Sequence, residues 1–259
     1  MWVAERHRLI LELLGSHQGM TTEKFADMLG VSRETVRRDL IELERSGHLA
    51  RVHGGAVPTV PGQPEPAYPE RTRLRREQKR EMAVLAASLP QTGDTCLLDA
   101  GSTTLAMAEE LVHRQGLTVI TNSLEAAMVL AGRGGHEVRL LGGRLDHDVP
   151  ATYGDEAIAE IARLRVEWAF VSPVGFNAES GAMDYVWHEA AMARAMLARA
   201  SRRVLLADSS KLGQRSRIQV CAPSEVDVLV TDSGADVDTL RAFRQAGVAS
   251  VLPLPQAGA

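Results

Sequence analysis

The sequence predicts an α/β protein with two unequal domains, and three observations lead to this prediction. In residues 1–58 a helix, a glycine-containing turn, a basic helix and a Gly-Gly hairpin follow one another, which is the order of a winged helix-turn-helix. Prolines crowd residues 59–70, where we expect an extended linker. From residue 71 to 259, short apolar runs alternate with helical stretches, which predicts a larger Rossmann-like α/β domain with a mostly parallel sheet.

Composition and charge narrow the possible functions. The formal net charge is −4, so no global positive field attracts nucleic acid, and DNA binding requires a local basic patch. No apolar run approaches the ~18 residues that span a bilayer, and charges interrupt the segment where a signal peptide would be apolar. We expect a soluble, cytoplasmic protein with no membrane partner. Cys96 and Cys221 are too few for a disulfide framework and are expected in the core.

Two amphipathic helices are predicted before the basic one, at about residues 3–14 and 23–29. Thr21 or Thr22 can cap the second helix, because a threonine hydroxyl accepts a hydrogen bond from a free backbone N–H group. Gly30 then permits the turn. The apolar faces consist of Ile10, Leu13 and Leu14 in the first helix and Phe25, Met28 and Leu29 in the second.

The third helix is the candidate DNA-contacting element. Ser32 is its expected N-cap and Gly47 its C-terminal stop. At ~100° per residue its apolar side chains form a narrow stripe, which leaves the opposite, basic face free to enter a major groove. The stripe consists of Val36, Leu40 and Leu43. The residues expected to contact DNA are Ser32, Arg33, Glu34, Thr35, Arg37 and Arg38. Arg33, Glu34 and Arg37 are candidates for base contacts, whereas Thr35 and Arg38 are candidates for phosphate contacts.

A wing is expected after this helix. Arg51 and His53 alternate with small and apolar residues, and Gly54-Gly55 is expected to form a two-residue hairpin turn. All four residues are candidate DNA contacts. The alternative is a protein-interaction module with a solvated charged face, which the order of elements and the wing disfavour. The basic run from Arg71 to Arg80 is expected to be a solvated helix face, with contacts to DNA phosphates as the alternative.

Strands of the larger domain are predicted at residues 95–98, 118–120, 138–141, 168–171, 204–206 and 226–230. Helices are predicted at residues 104–113, 124–131, 158–164 and 189–199. In open α/β sheets, ligands bind beyond the carboxyl ends of the strands. The residues that follow each strand are therefore the candidate ligand site.

These residues are small, hydroxylated or charged, as an anion site at helix starts requires. They comprise Asp99, Gly101, Ser102, Thr103 and Thr104 after the first strand, Thr121, Asn122 and Ser123 after the second, Gly142, Gly143 and Arg144 after the third, and Lys211 after a later one. Asp184 is a further candidate. Any one such loop is often only a helix cap, but four in matching positions predict a small, polyhydroxylated, phosphorylated ligand. We expect no metal, because Asp146-His147-Asp148 and His188 lack zinc-site spacing, and no cofactor.

A family resemblance covers most of the chain. The string V-S-R-E-T-V-R-R-D-L at 31–40, followed by R-V-H-G-G-A at 51–56, closely resembles the DeoR family of bacterial transcriptional regulators. The family's D-x-G-[ST]-T-T, T-N-S, G-G and D-S-S-K segments stand at 99–104, 121–123, 142–143 and 208–211. Its effector domain is similar to sugar-phosphate isomerases such as ribose-5-phosphate isomerase. The resemblance implies a repressor that releases its operator when a sugar phosphate binds.

The sequence departs from the family pattern at the expected pocket wall. A glycine-rich stretch is replaced by Ser172-Pro173-Val174, a threonine pair by residues 182–183, and a lysine by Ala193. These changes bear on which ligand binds. The acids that an isomerase needs as a general base are also missing after residue 171, which disfavours the alternative of an active enzyme.

We therefore expect a DNA-binding regulator of a sugar or polyol utilisation operon, most simply a repressor, with double-stranded operator DNA and a phosphorylated sugar as partners. Two-fold operators favour a homodimer or homotetramer. An activator with the same fold, and a sensor that has lost its ligand, remain as alternatives.

Overall fold

A computed structural model describes residues 2–16, 19–45, 49–52, 54–58 and 66–253. The chain divides into two compact units, residues 1–63 and 64–259. No helix among the described residues is both long enough and apolar enough to cross a membrane.

The first unit contains three helices. They are α1 (Val3–Ser16), α2 (Thr22–Leu29) and α3 (Arg33–Arg45). The hydroxyl of Thr21 accepts the Lys24 N–H at the start of α2, which confirms Thr21 as its cap. Gly30 ends α2 in the left-handed conformation (φ 64°), where its N–H donates to the Ala26 carbonyl. This glycine makes the short turn into α3 possible.

A three-stranded antiparallel sheet completes this unit. Its strands are β1 (Met20–Thr21), β2 (Leu49–Val52) and β3 (Gly55–Pro58), in the order β1-β3-β2. β2 and β3 form the predicted wing, whereas β1 was not predicted. Gly55 pairs with both Thr21 and Val52. A Cβ atom at Gly55 would overlap the Met20 carbonyl oxygen, so only glycine allows β1 to approach β3.

The core of the first unit follows the predicted faces of the helices with one exception. Its fully or almost fully buried side chains include Ile10, Leu14, Phe25, Val36, Leu40, Leu43, Leu49 and Ala56. The predicted stripe on α3 is thereby confirmed. The prediction that Met28 lies on the apolar face of α2 is wrong, because Met28 is half exposed and Ala26 is buried instead.

A seven-stranded parallel sheet organises the second unit. Its order is β15-β14-β12-β9-β4-β5-β6, and every neighbouring pair is parallel. The strands are β4 (Thr95–Leu98), β5 (Thr118–Thr121), β6 (Glu137–Leu140), β9 (Val166–Val171), β12 (Ala200–Leu206), β14 (Val228–Val230) and β15 (Ser250–Leu252). The predicted α/β class and parallel sheet are confirmed, with β15 as an addition.

Helices and two smaller sheets surround this sheet. The helices are α4 (Tyr68–Arg71), α5 (Arg76–Ala87), α6 (Ser102–Leu111), α7 (Leu124–Leu130), α8 (Asp155–Ile161), α9 (Trp187–Leu197) and α10 (Val237–Gln245), with a 3₁₀ turn at Pro223–Glu225. The smaller strands, all antiparallel and unpredicted, are β7 (Arg144–Leu145), β8 (Thr152–Tyr153), β10 (Gly175–Asn177), β11 (Gly181–Asp184) and β13 (Ile218–Cys221). Two apolar clusters, which contain the buried Cys96 and Cys221, pack this unit.

The segment that begins the second unit differs from the prediction. Residues 68–70 are helical, so an extended linker up to residue 70 is wrong there, and residues 59–65 lie outside the described residues. The basic run is not one solvated face either. Arg75 has a left-handed backbone (φ 53°), and Lys79 is buried and donates to the Arg71 carbonyl. Both basic residues are therefore built into the domain.

Candidate DNA-contacting helix and effector pocket

The start of α3 is fixed by its predicted cap. The Ser32 hydroxyl accepts the Thr35 N–H at 3.1 Å and lies 2.8 Å from the Thr35 hydroxyl. Arg33, Arg37 and Arg38 project from the exposed side of the helix, opposite the buried stripe. The structure therefore exposes Arg33, Glu34, Arg37 and Arg38 away from the buried stripe, and Thr35 is half-buried beside the Ser32 cap.

Glu34 pairs with two of these arginines. Arg37 donates to both of its carboxylate oxygens, at 2.8 and 2.9 Å, and Arg38 donates at 3.4 Å. The pKa of Glu34 is lowered to about 2, chiefly by the hydrogen bonds from Arg37; desolvation opposes this shift, and the charges of Arg37 and Arg38 and the Arg38 hydrogen bond add to it. An ionised acid therefore stands between the two arginines in the absence of DNA.

The wing is tied to the same helix. The backbone N–H of Arg51 donates to Glu44 at 3.0 Å, and the Arg51 guanidinium contacts that carboxylate at 3.5 Å. The expected Gly54-Gly55 turn is wrong in one position. Gly54 has a positive φ of 82°, as a tight turn requires, but Gly55 belongs to β3, where its pairing with β1 requires glycine. His53 lies outside the described residues.

A buried ion pair that the sequence analysis missed holds α3 in place. Arg6 on α1 donates to both oxygens of Asp39 on α3, at 2.5 and 2.8 Å, and both side chains are almost fully buried. His7 adds a contact at 3.2 Å to the same carboxylate. Such a two-pronged pair fixes the orientation of α3 as well as its distance from α1. The spacing of 33 residues between the partners hid it from local pattern analysis.

In the second unit, polar side chains collect at the carboxyl edge of the sheet. A small cavity, partly open to solvent, lies there. Its lining comprises Asp99, Ala100, Asn122, Asp146, Val149, Ala151, Thr152, Tyr153, His188, Glu189 and Met192. Of the predicted effector residues, only Asp99 and Asn122 line it.

Asp99 follows β4 and is buried at the base of this cavity. Burial raises the pKa of Asp99 well above its usual value, and the negative charges of Asp184 and Glu189 raise it further, against one hydrogen bond from the Ala100 N–H. Asp184, at the end of β11, is also buried and accepts the Val174 N–H at 3.0 Å. An ionised Asp99 is thus costly unless hydrogen-bond donors reach it.

Asn122 and its neighbours after β5 have different roles. Asn122 donates through Nδ2 to the Thr152 carbonyl at 3.1 Å, while its Oδ1 is buried and has no partner among the described residues. Ser123 caps α7 by accepting the Ala126 N–H, and Thr121 accepts the Ser123 N–H. Both hydroxyls therefore have structural roles, and Asn122 is the residue of this loop that lines the cavity.

The start of α6 lies directly after two cavity residues. Gly101 precedes the helix in extended conformation and provides no side-chain cap, and Ser102 begins the ten-residue helix. Thr103 and Thr104 are buried, and Thr104 donates to the Gly101 carbonyl at 3.0 Å. A helix start of this kind presents backbone N–H groups to an anion.

Two predicted cations lie apart from the cavity lining. Arg144 is exposed in β7, and Gly142 and Gly143 precede it on the surface. Gly143 packs so closely on the Tyr153 backbone that a side chain there would clash. Lys211 is half-buried and donates to the Pro173 carbonyl at 2.7 Å.

Asp208, three residues before Lys211, is buried in an ion pair with Arg75 at 2.9 Å. Burial acts to raise the pKa of Asp208, but the charges of Lys211 and Arg75 and hydrogen bonds from Ser210 outweigh it and hold the pKa below its usual value. The Asp208 loop is therefore joined to the residue that immediately precedes α5.

The sequence analysis missed the wall of the cavity opposite Asp99. His188 on α9 contacts Asp146 at 2.5 Å and stacks on Tyr153 with ring centroids 4.0 Å apart. Asp146 and His188 were considered only as metal ligands, and no metal-binding group of three or more was found among the described residues. Trp187, which precedes His188 on α9, is 72% exposed. The nearest signals in the sequence were the departures from the family pattern at residues 182–183 and Ala193, on either side of His188.

These features define a protein that carries a winged helix-turn-helix and a second, α/β unit with a cavity at the carboxyl edge of its sheet. Family models agree: residues 6–59 match the DeoR-like helix-turn-helix domain, and residues 74–233 match the DeoR C-terminal sensor domain. The chain belongs to the DeoR family of transcriptional regulators. It is 37% identical over 232 residues to the HTH-type transcriptional repressor GlcR of Bacillus subtilis, covering 90% of this chain and 89% of that protein.

A second relative is the glycerol-3-phosphate regulon repressor of Escherichia coli. It is 27% identical over 237 residues, covering 92% of this chain and 94% of that protein. Among solved structures, ribose 5-phosphate isomerase A of Methanocaldococcus jannaschii is a distant match, with a TM-score of 0.40 and 20% identity over 52% of this chain and 54% of that one.

Proposed function

We propose that this regulator is a repressor of a sugar or polyol utilisation operon and that a phosphorylated sugar or polyol releases it from DNA. The observation that carries the proposal is a polar cavity at the carboxyl edge of a parallel sheet, next to an uncapped helix start, in a chain that also holds a DNA-binding unit. The names of the two relatives, both repressors and one of a glycerol-3-phosphate regulon, support it.

On the DNA side, α3 enters the major groove with its exposed face. Arg33, Glu34 and Arg37 contact bases, while Ser32, Thr35 and Arg38 contact the backbone. The wing places Arg51, together with His53, Gly54 and Gly55, against the backbone or the minor groove. Residues 1–58 form the DNA-binding domain, and residues 71–259 form the effector domain.

On the effector side, the phosphate binds at the start of α6, where the backbone of Gly101, Ser102 and Thr103 supplies N–H donors and the helix dipole favours an anion. The hydroxyl groups of the ligand then reach Asp99 and Asn122. Thr104, Thr121 and Ser123 support the two loops. Buried Asp184 acts on Asp99 through its charge, while Lys211 and the Gly142-Gly143-Arg144 turn form the outer rim.

The protein is proposed to bind this ligand without transforming it. An aldose–ketose isomerisation requires a general base over the substrate C–H group. The loop after β9, Ser172-Pro173-Val174, offers no acid, and the Asp184 carboxylate is engaged by the Val174 N–H. No cofactor is required for the proposed role. A homodimer or homotetramer would match a two-fold operator.

The experiment is a thermal-shift screen with sugar and polyol phosphates, each beside its unphosphorylated form and inorganic phosphate. A ligand at 100 times its Kd should add about 2.7 kcal/mol of stability, which is a shift of several degrees in Tm.

Two variants separate the two sites. Lys211→Ala should reduce the ligand-induced rise in Tm and leave DNA affinity unchanged. Arg37→Ala should weaken operator binding by about 1–3 kcal/mol and leave the shift intact. If no compound in the panel raises Tm, the proposed effector class is contradicted.

A further inference from the structure

The cavity has a charge pattern that bears on which part of the effector it holds. The carboxylates of Asp146 and Glu189 line it, together with Asp99, whose raised pKa favours the uncharged acid. His188 is the basic residue of the lining, and it is paired with Asp146. Within the described part of the chain, no lysine or arginine lines the cavity. A second anionic group placed here would therefore meet like charge at short range.

Asn122 independently indicates a ligand in this cavity. Its side chain is 4% exposed, and its Oδ1 is a buried acceptor with no partner in the described residues. The amide cannot simply be turned round, because Nδ2 donates to the Thr152 carbonyl at 3.1 Å. A buried acceptor without a donor is costly, so the site is suited to a ligand that brings a donor.

The wall made by Asp146, Tyr153 and His188, here called the aspartate wall, is held in place from several sides. Asp146 accepts the backbone N–H groups of Asp148 and Val149, at 2.7 and 3.1 Å, and contacts His188 at 2.5 Å. Tyr153 covers one face of the His188 ring at an interplanar angle of 23°. Because these contacts fix the carboxylate, it cannot easily move away from a ligand.

We propose that the aspartate wall determines effector specificity: it accepts the uncharged, hydroxylated end of a singly phosphorylated sugar or polyol and excludes a ligand whose second end is anionic. This inference rests on the proposed function, since the phosphate lies at the start of α6. It adds which class of phosphorylated compound binds. Bisphosphates and phosphorylated sugar acids are excluded, whereas polyol and sugar monophosphates are accepted.

Matched ligand pairs test this on the intact protein. Calorimetry would compare glycerol 3-phosphate with glycerate 3-phosphate, and glucitol 6-phosphate with gluconate 6-phosphate, at constant ionic strength. Within a pair the carbon chain and phosphate are the same, and only the far end changes from CH₂OH to carboxylate. In each pair whose alcohol binds, we expect the acid to bind at least about tenfold more weakly than the alcohol. Equal or tighter binding of the acid would overturn the inference while leaving the proposed function standing.

Asp146→Asn tests the wall itself. The amide keeps an oxygen for the Asp148 and Val149 N–H groups but removes the charge. The preference for the alcohol over the acid should fall at least about threefold, since one of the opposing charges is gone. Asp148→Asn, the same change at an exposed residue outside the lining, should preserve the preference. An unchanged preference in a folded Asp146→Asn protein contradicts the role of the wall, and no binding by any pair contradicts the proposed function as well.

Discussion

Glu34 sets the charge on the exposed face of α3, the face that we propose contacts DNA. In the free protein its carboxylate holds Arg37 and Arg38, and its lowered pKa keeps it ionised across the neutral range. DNA phosphates must compete with this acid for both guanidinium groups. Sequence-independent affinity is thereby reduced, because that affinity comes mainly from cations at phosphates.

Glu34→Gln is therefore expected to strengthen binding to random double-stranded DNA several-fold at low salt, and to steepen the dependence of affinity on salt concentration. Fluorescence anisotropy with a labelled random duplex measures both. Asp238→Asn is the matched control, because Asp238 likewise pairs with an arginine three residues on, but in an exposed helix of the other unit. Unchanged affinity for Glu34→Gln would show that the pairing does not limit phosphate contacts.

Asp99 illustrates how a buried acid in the cavity can lower stability. Its folded-state pKa is raised by burial and by Asp184 and Glu189, so the folded protein holds a proton that the unfolded chain releases at lower pH. The free energy of unfolding therefore falls as pH rises through the window between the ordinary and the raised pKa. Asp208, whose pKa is lowered, acts in the opposite sense and loses its contribution on acidification.

Asp99→Asn should consequently raise Tm at pH 7–8 and flatten its decline with pH, since the amide can still accept the Ala100 N–H. A gain of ~1 kcal/mol corresponds to about 2–4 °C in a domain of this size. Differential scanning calorimetry between pH 5 and 8 makes the comparison. A lower Tm for the variant throughout this range would mean that the carboxylate is stabilised by contacts other than those considered.

At the level of elements, the segment that begins the second unit is fastened to the rim of the cavity. Tyr68 on α4 packs with Val149, Ala151 and Ala100, all three of which line the cavity, and its hydroxyl donates to Glu125 on α7. Arg75, before α5, is held by Asp208. A ligand that shifts these loops would therefore move the segment that leads to the DNA-binding unit.

Tyr68→Phe is expected to separate binding from release. The ring still packs on the cavity wall, but its hydrogen bond to Glu125 is lost, so the effector should bind while its effect on DNA affinity decreases by about threefold or more, a fraction of a typical coupling energy of ~1–3 kcal/mol. Measuring ligand Kd and DNA Kd on one preparation gives both quantities. Tyr185→Phe serves as a control for loss of a hydroxyl. If the effector lowers the DNA affinity of Tyr68→Phe as much as that of the wild type, the Tyr68–Glu125 hydrogen bond does not couple the two sites.

Several elements could be predicted because a local pattern specifies them. β4, β5 and β9 are short apolar runs, as expected of strands buried on both faces. β10 and β11 were missed, since their three and four residues include glycines and no alternation. α8 was predicted to begin three residues too late. It begins at Asp155 after the Gly154 N-cap, and the polar residues Asp155 and Glu156 precede its apolar residues. α4 was hidden by Pro69 in its first turn.

The site was predictable only where topology places residues. Asp99 and Asn122 follow adjacent parallel strands, so the carboxyl-edge rule locates both. Asp146 and His188 are 42 residues apart and meet only because β7, β8 and α9 pack together. No spacing rule predicts such a contact, and the same holds for Arg75 and Asp208, which are 133 residues apart.

The molecule as a whole combines a DNA-binding unit and a sensor unit in one chain. The helix-turn-helix unit supplies DNA binding, and the sensor unit has a cavity that we propose holds a phosphorylated ligand. A repressor that responds to a metabolite requires that the two ligands disfavour each other, and the same factor must appear in both affinities.

The most direct test is the Kd for a double-stranded site selected in vitro from random DNA, measured with and without the sugar or polyol phosphate that raises Tm. We predict that saturating ligand raises the DNA Kd by about 5–150-fold, the range that ~1–3 kcal/mol of coupling produces, and that DNA weakens ligand binding by the same factor. A ligand that stabilises the protein but leaves its DNA affinity unchanged, or increases it, would contradict release of a repressor by its effector.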